Sequence, residues 1–200
     1  GSHDLDAAGK VAEELGLPWE PILMDDGMLC GAIAYLRDRM GVTDPVTVSF
    51  EVPLYLICTK VPERVLLSGQ GADELFGGYA RYASMSLAEL DEARAADVQR
   101  LLFEGFLREV RLAQGLGKTL VCPYLDLNVI EAALCIPPGE LFGKLGNKQP
   151  LRLIAREMGL SSAEAPKKAA QYGSGIMKAM KRMAAAKGVG LGEWVAGVKG

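Results

Sequence analysis

The 200-residue sequence predicts an α/β fold, with a parallel sheet among helices in its first part and a mainly helical second part. Three observations lead there. Helical and strand-like segments alternate up to about residue 85, the pattern of βαβ units and hence of parallel strands. The short aliphatic run Arg64-Val65-Leu66-Leu67 breaks into glycines, as a strand does when it ends at a ligand loop or a turn. From Leu87 to Leu112 the apolar spacing is helical and charged, with no strand pattern. This length fits one domain, read here as residues 1–200, with an α/β part at 1–85 and a mainly helical part at 86–200.

The elements follow in order. Asp4 can cap a helix whose apolar face is Leu5, Ala8, Val11, Ala12 and Leu15, and Gly16 ends it. Pro18 to Met24 is a short strand candidate. A second helix spans Met28 to Met40 and stops at Gly41. Residues 46–61, beyond Pro45, alternate too poorly for a strand and read as a buried helix. The strand at Val65 comes next. Later helices are expected at Asn128–Cys135, Pro150–Met158 and Ile176–Lys187, and Trp194 is the one strong anchor in a glycine-rich tail.

Composition excludes several function classes. A net charge of −3 provides no polybasic field for nucleic acid or anionic lipid. No apolar run reaches the ~18 residues of a membrane span, and no signal peptide is visible. Cys30, Cys58, Cys122 and Cys135 lie far apart with no CxxC pair, so they read as reduced core thiols of a cytoplasmic protein. His3 is the only histidine, which excludes an imidazole-rich zinc site and argues against a serine–histidine triad. Acid–base chemistry falls to carboxylates, lysines or water.

The chemistry-bearing stretch is Leu67 to Tyr79, LSGQGADELFGGY. Glycines let a backbone approach phosphate, and a carboxylate just beyond can hold Mg²⁺ together with substrate phosphates. Adjacent Asp73 and Glu74 diverge by ~100° on a helix, so only one would face a ligand. The same residues equally suit a glycine turn and a helix with acids at its positive end. Lys167 and Lys168, beside Gly-Ser-Gly at 173–175, can clamp a phosphate or simply be solvated. Asp126 in VCPYLDLN reads as an N-cap, and Lys148 with Arg152 as a basic helix start.

Taken together these stretches resemble the synthetase domain of the asparagine synthetase family. LLSGQGADELFGGY differs at one position from that family's SGEGADELFGGY segment. SHDLDAAGKVAEELGL, VPLYLICTKV, VCPYLDLN, NKQPLR and KKAAQYGSG resemble further family segments in the family's order. The resemblance implies a parallel sheet sandwiched by helices, of the adenine nucleotide alpha hydrolase (ATP-pyrophosphatase) type, with helical additions. It implies that ATP, with Mg²⁺, adenylates the side-chain carboxylate of aspartate and that ammonia, from a glutaminase domain or chain, attacks the adenylate. Residue by residue it places Ser68 and Gly69 against ATP, Asp73 on Mg²⁺, and Lys168, or its neighbour Lys167, on the developing negative charge.

Two departures qualify the resemblance. Gln70 stands where asparagine-forming members carry a glutamate that accepts a proton from ammonia, and an amide cannot accept one. On that role the change costs roughly 10²–10⁴ in amidation. An SGGxDS phosphate loop occurs nowhere in the 200 residues, and the resemblance would place it upstream of residue 1. The chain is therefore expected to be part of a longer protein or to need a second chain. Alternative readings are an adenylating relative with another acceptor acid or lactam closure, and a non-catalytic subunit. A sheet lacking a strand exposes edges and apolar surface, so self-association or a partner chain is the hypothesis. A monomer in sedimentation velocity at working concentration would contradict it.

Overall fold

A computed structural model describes residues 3–165 and 174–199. Three helices open the chain: α1 (His3–Glu14), α2 (Asp26–Met40) and α3 (Pro45–Lys60). Strand β1 (Val65–Leu67) runs into the single turn of α4 (Ala72–Leu75). Helix α5 (Leu87–Arg100) continues through a π-helical turn, Leu101–Gly105, into α6 (Phe106–Gly115). Then come β2 (Thr119–Val121), α7 (Leu127–Leu134), a two-strand hairpin of β3 (Phe142–Gly143) and β4 (Gly146–Asn147), and α8 (Gln149–Glu157). Helices α9 (Ile176–Ala186) and α10 (Leu191–Gly197) close the chain.

The helix ends follow local chemistry. The Asp25 carboxylate accepts the Met28 N–H at 2.7 Å and starts α2, and Gly41, at φ 68°, turns the chain out of it. Asp44 does the same for α3, accepting the Thr47 N–H at 2.8 Å, with Pro45 in the first turn where no donor is needed. Ser86 and Glu89 form a reciprocal capping box at the start of α5.

The chain divides into two compact units, and each interleaves with the other along the sequence. The first comprises residues 1–62, 115–117 and 166–200. Within it α3 packs against α2, α9 and α10. Leu29, Ile33, Leu36, Val48, Val52, Met180 and Val195 are fully buried there, and Trp194 is 3% exposed, the anchor its position promised. Each such side chain contributes about 1.5–3 kcal/mol on burial.

The second unit comprises residues 63–114 and 118–165. Its core joins Leu75, Phe76, Val98 and Ala133, flanked by Tyr124, Val129 and Ile130, with a second cluster of Tyr82, Leu90 and Leu141. Arg94 of α5 is fully buried, and its Nη2 donates to the carbonyls of Leu75 at 2.8 Å and Ala133 at 3.0 Å, tying α4 to α7. Strands β1 and β2 pair in parallel, Val65 with Thr119 through Leu67 with Val121.

The fold is thus a helix-rich α/β arrangement with a small parallel sheet. Three local expectations change. Residues 18–24 form no strand. They contain Pro18 and Pro21, which cannot donate to a ladder. Strand β2 and the β3–β4 hairpin stand where no strand was read. Among the four thiols, Cys58 and Cys122 are buried as expected, whereas Cys30 is half-buried and Cys135 exposed, and none of the four is in a disulfide among the described residues. No helix among the described residues is long and apolar enough to cross a membrane.

Candidate active site

The site lies in the second unit, where β1 and β2 end together. Because Leu67 and Val121 are register partners, Ser68 and Cys122 both stand one residue beyond the sheet. The Ser68 N–H donates to the Val121 carbonyl at 2.9 Å, and the Ser68 hydroxyl oxygen accepts the Gln70 N–H at 3.2 Å. This small turn holds Gly69 outward.

The four glycines of the loop do different jobs. Gly69 is exposed, and a Cβ there would meet nothing within 4 Å. Gly71 has φ 95°, and a Cβ would fall 2.5 Å from Leu125 Cδ2. Gly77 has φ 73°, and a Cβ there would lie 3.0 Å from Leu141 Cβ. At Gly78 a Cβ would lie 1.7 Å from Asp73 Oδ1 and 2.5 Å from Lys148 Cε. Gly69 is therefore the one of the four whose Cβ position is open space. The other three are required by backbone conformation or close packing within the protein.

Asp73 and Glu74 diverge as adjacent helical residues must. Glu74 turns inward, 7% exposed, and accepts a hydrogen bond from the Tyr79 hydroxyl. Burial pushes its carboxyl above the usual range, against the lowering effect of that bond. Asp73 turns outward, its side chain 34% exposed, and its Oδ1 lies 2.9 Å from Lys148 Nζ.

Lys148 reaches this position by an unusual route. It is the N-cap of α8 at φ 56°, the one non-glycine residue with positive φ among the described residues. Such a conformation costs of order 1–3 kcal/mol and persists where neighbours over-determine it. Here Asn147 Nδ2 donates to the Gly78 carbonyl at 2.8 Å, and Arg152 Nε donates to the Asn147 carbonyl at 2.8 Å. The ammonium of Lys148 is thereby held against Asp73. Sequence reading had left Lys148 as helix-start surface; the pairing spans 75 positions, from residue 73 to residue 148, and no local pattern carries it.

Gln70 turns the other way, toward α6. Its Nε2 donates to Glu109 Oε1 at 2.8 Å. The π-helical turn makes this meeting possible. There the Phe106 N–H bonds to the Leu101 carbonyl, five residues back, so α6 carries one residue more than a plain α-helix would. One added residue rotates everything after it by ~100°. Gly105 and Glu109, four apart, both face Gln70, and a Cβ on Gly105 would be 3.9 Å from Gln70 Nε2. Cys122 completes the floor. Burial first, then the Glu109 charge, pushes its thiol up to about 11, with the Ser68 hydrogen bond acting in the opposite sense. It therefore keeps its proton at neutral pH and is no nucleophile.

Ser68, Gly69, Gln70 and Asp73 thus follow one another beyond the end of β1, in the loop and on α4. Lys167 and Lys168 lie outside the described residues. The described residues hold no group of three or more His, Cys, Asp or Glu arranged for a metal. A Mg²⁺ shared with substrate phosphates needs only one or two carboxylates, and the outward Asp73 fits that need.

A family model described as asparagine synthase matches residues 1–95, which include all of the Leu67–Tyr79 loop. The relatives agree. A putative glutamine-hydrolysing asparagine synthetase of Methanocaldococcus jannaschii is 28% identical over 92% of this chain and 41% of its own length. The chain is similar to the asparagine synthase family, by the family model over its first 95 residues and by this relative over most of its length. Asparagine synthetase B of Escherichia coli is 29% identical over 78% of the chain and 29% of its own length. The mouse asparagine synthetase domain-containing protein 1 is 38% identical over 61% of the chain and 21% of its own length. The chain thus spans about a fifth to two fifths of these relatives. Within the asparagine synthase match fall Ser68, Gly69, Gln70 and Asp73; Glu109, Cys122 and Lys148 lie beyond it.

Proposed function

We propose that this chain carries the synthetase chemistry of that family, in a domain of the adenine nucleotide alpha hydrolase type. ATP adenylates the side-chain carboxylate of aspartate, pyrophosphate leaves, and ammonia attacks the adenylate to give the amide. The observation that supports this most directly is the open Gly69 at the joint carboxyl end of two parallel strands, with Asp73 outward one turn later. Ligands of parallel sheets bind at such strand ends.

Each residue then has a task. The exposed backbone at Gly69 and the hydroxyl of Ser68 line the nucleotide. Asp73 would hold Mg²⁺, which supplies charge to offset the departing pyrophosphate. Lys148, already beside Asp73, places a positive charge at the same point, and Lys168 is assigned to the leaving group as well. The buried Glu74 fixes the turn through Tyr79 and takes no part in the chemistry.

The test is aspartate-dependent exchange of labelled pyrophosphate into ATP. Exchange is expected in the wild-type protein, and Asp73→Asn should lower it roughly 10²–10³-fold by removing one charge-stabilising contact. If no ATP binds in calorimetric titration and no carboxylic acid supports exchange, the reading is wrong.

A further inference from the structure

The amide-forming half of the reaction requires a proton acceptor, and the loop's own two carboxylates are engaged elsewhere: Asp73 is paired with Lys148 and assigned to Mg²⁺, and Glu74 is buried against the Tyr79 hydroxyl. The Gln70 amide has no basic site and the Ser68 hydroxyl is too weak a base. The Cys122 thiol holds its proton at neutral pH. The only histidine is His3, in the other unit of the chain. From outside the loop Glu109 reaches it, 2.8 Å from Gln70 Nε2 and half-buried on α6.

We propose that Glu109 takes the proton of the attacking nitrogen and that Gln70 is a positioning residue that aims it. The proposal rests on the adenylating reading above. A carboxylate has two oxygens and about four acceptor sites. The Gln70 amide occupies one of them and fixes the plane of the group. In the step itself, the nitrogen lone pair forms the C–N bond and a proton passes from nitrogen to a Glu109 oxygen. The bond from the acyl carbon to the phosphate oxygen breaks, and its electron pair leaves with AMP. Glu109 then returns the proton to water. The positions of donor and carboxylate are exchanged relative to a loop that carries its own glutamate at residue 70. Glutamine is the one uncharged residue that keeps the length of glutamate and also offers the N–H a neighbouring carboxylate accepts.

Two variants of the full-length protein separate the roles: Glu109→Gln, and the exchange Gln70→Glu/Glu109→Gln, which preserves an amide–carboxylate pair with the carboxylate moved to residue 70. Pyrophosphate exchange reads adenylation, and asparagine formed from ammonia reads the second half. Glu109→Gln is expected to keep exchange within about twofold and lose roughly 10²–10⁴ in amide formation. The exchange variant should recover at least a tenth of it. Unchanged amide formation in Glu109→Gln overturns the proposal, and so does equal loss of both half-reactions, which would make Glu109 a structural or adenylation residue. A wild-type protein without acid-dependent exchange overturns the adenylating reading and this assignment with it. Exchange that persists while amide formation ignores Glu109 overturns the assignment alone.

Discussion

Replacing Arg94 with alanine is expected to destabilise the protein by about 3–5 kcal/mol, the range for removing one member of a buried charged network. Arg94 is fully buried, and its Nη2 satisfies two carbonyls at once, those of Leu75 and Ala133. Truncation leaves the Leu75 carbonyl without that donor, at roughly 1–3 kcal/mol, while the Ala133 carbonyl still accepts the Ile136 N–H at 3.1 Å, and it opens a cavity where the side-chain stem lay. The residue itself is not fully satisfied. Its Nη1 lies 3.6 Å from Asp91 Oδ1, an ion-pair distance, and neither Nε nor Nη1 finds a hydrogen-bond partner among the described residues. Arg94→Met should therefore lose less than Arg94→Ala, because it refills the stem's volume and removes the buried charge. Urea unfolding monitored by circular dichroism would read the change as a lower midpoint at unchanged slope. A shift below 1 kcal/mol for the alanine variant would show that α4 and α7 are held together by other contacts.

Gly78→Ala should separate stability from activity. The new methyl would overlap Asp73 Oδ1 at 1.7 Å and Lys148 Cε at 2.5 Å, both parts of side chains that can swing aside. Relief by such movement typically costs about 1–3 kcal/mol. The chemical consequence is larger, because Asp73 and Lys148 are the groups displaced. A misplacement of about 1 Å in a catalytic array costs on the order of 10²-fold in rate, and this loss is expected in pyrophosphate exchange. A variant that folds with near-native stability and exchanges at the wild-type rate would show that the Asp73–Lys148 pair plays no part in the reaction.

Much of the fold was legible because it rests on local chemistry. Gly41 ends α2 and Asp126 caps α7 for reasons visible in a few residues of sequence. The strand at Val65–Leu67 was readable from its aliphatic run and its glycine boundary. Strand β2 was not, since Thr119–Val121 is three residues long and its identity as a strand depends on β1, more than fifty residues earlier. The β3–β4 hairpin pairs two residues with two, too few to show any period. For the site, Ser68, Gly69, Gln70 and Asp73 follow one another closely and could be picked out together. Lys148 and Glu109 could not. The first depends on a backbone conformation that lysine rarely adopts, and the second on a helical turn that breaks the very spacing from which helices are read.

That turn gives the site an unusual sensitivity to length. Deleting one residue between Leu101 and Gly105 would let α5 and α6 wind as one regular helix, with every side chain from Phe106 onward displaced around the axis. The carboxylate of Glu109 would then leave Gln70 although neither residue had been altered. Comparisons between descendants of this chain that score substitutions alone would miss such an event. A gap of one position in an otherwise well-matched helix would be its sole trace, and gain or loss of the second half-reaction its phenotype.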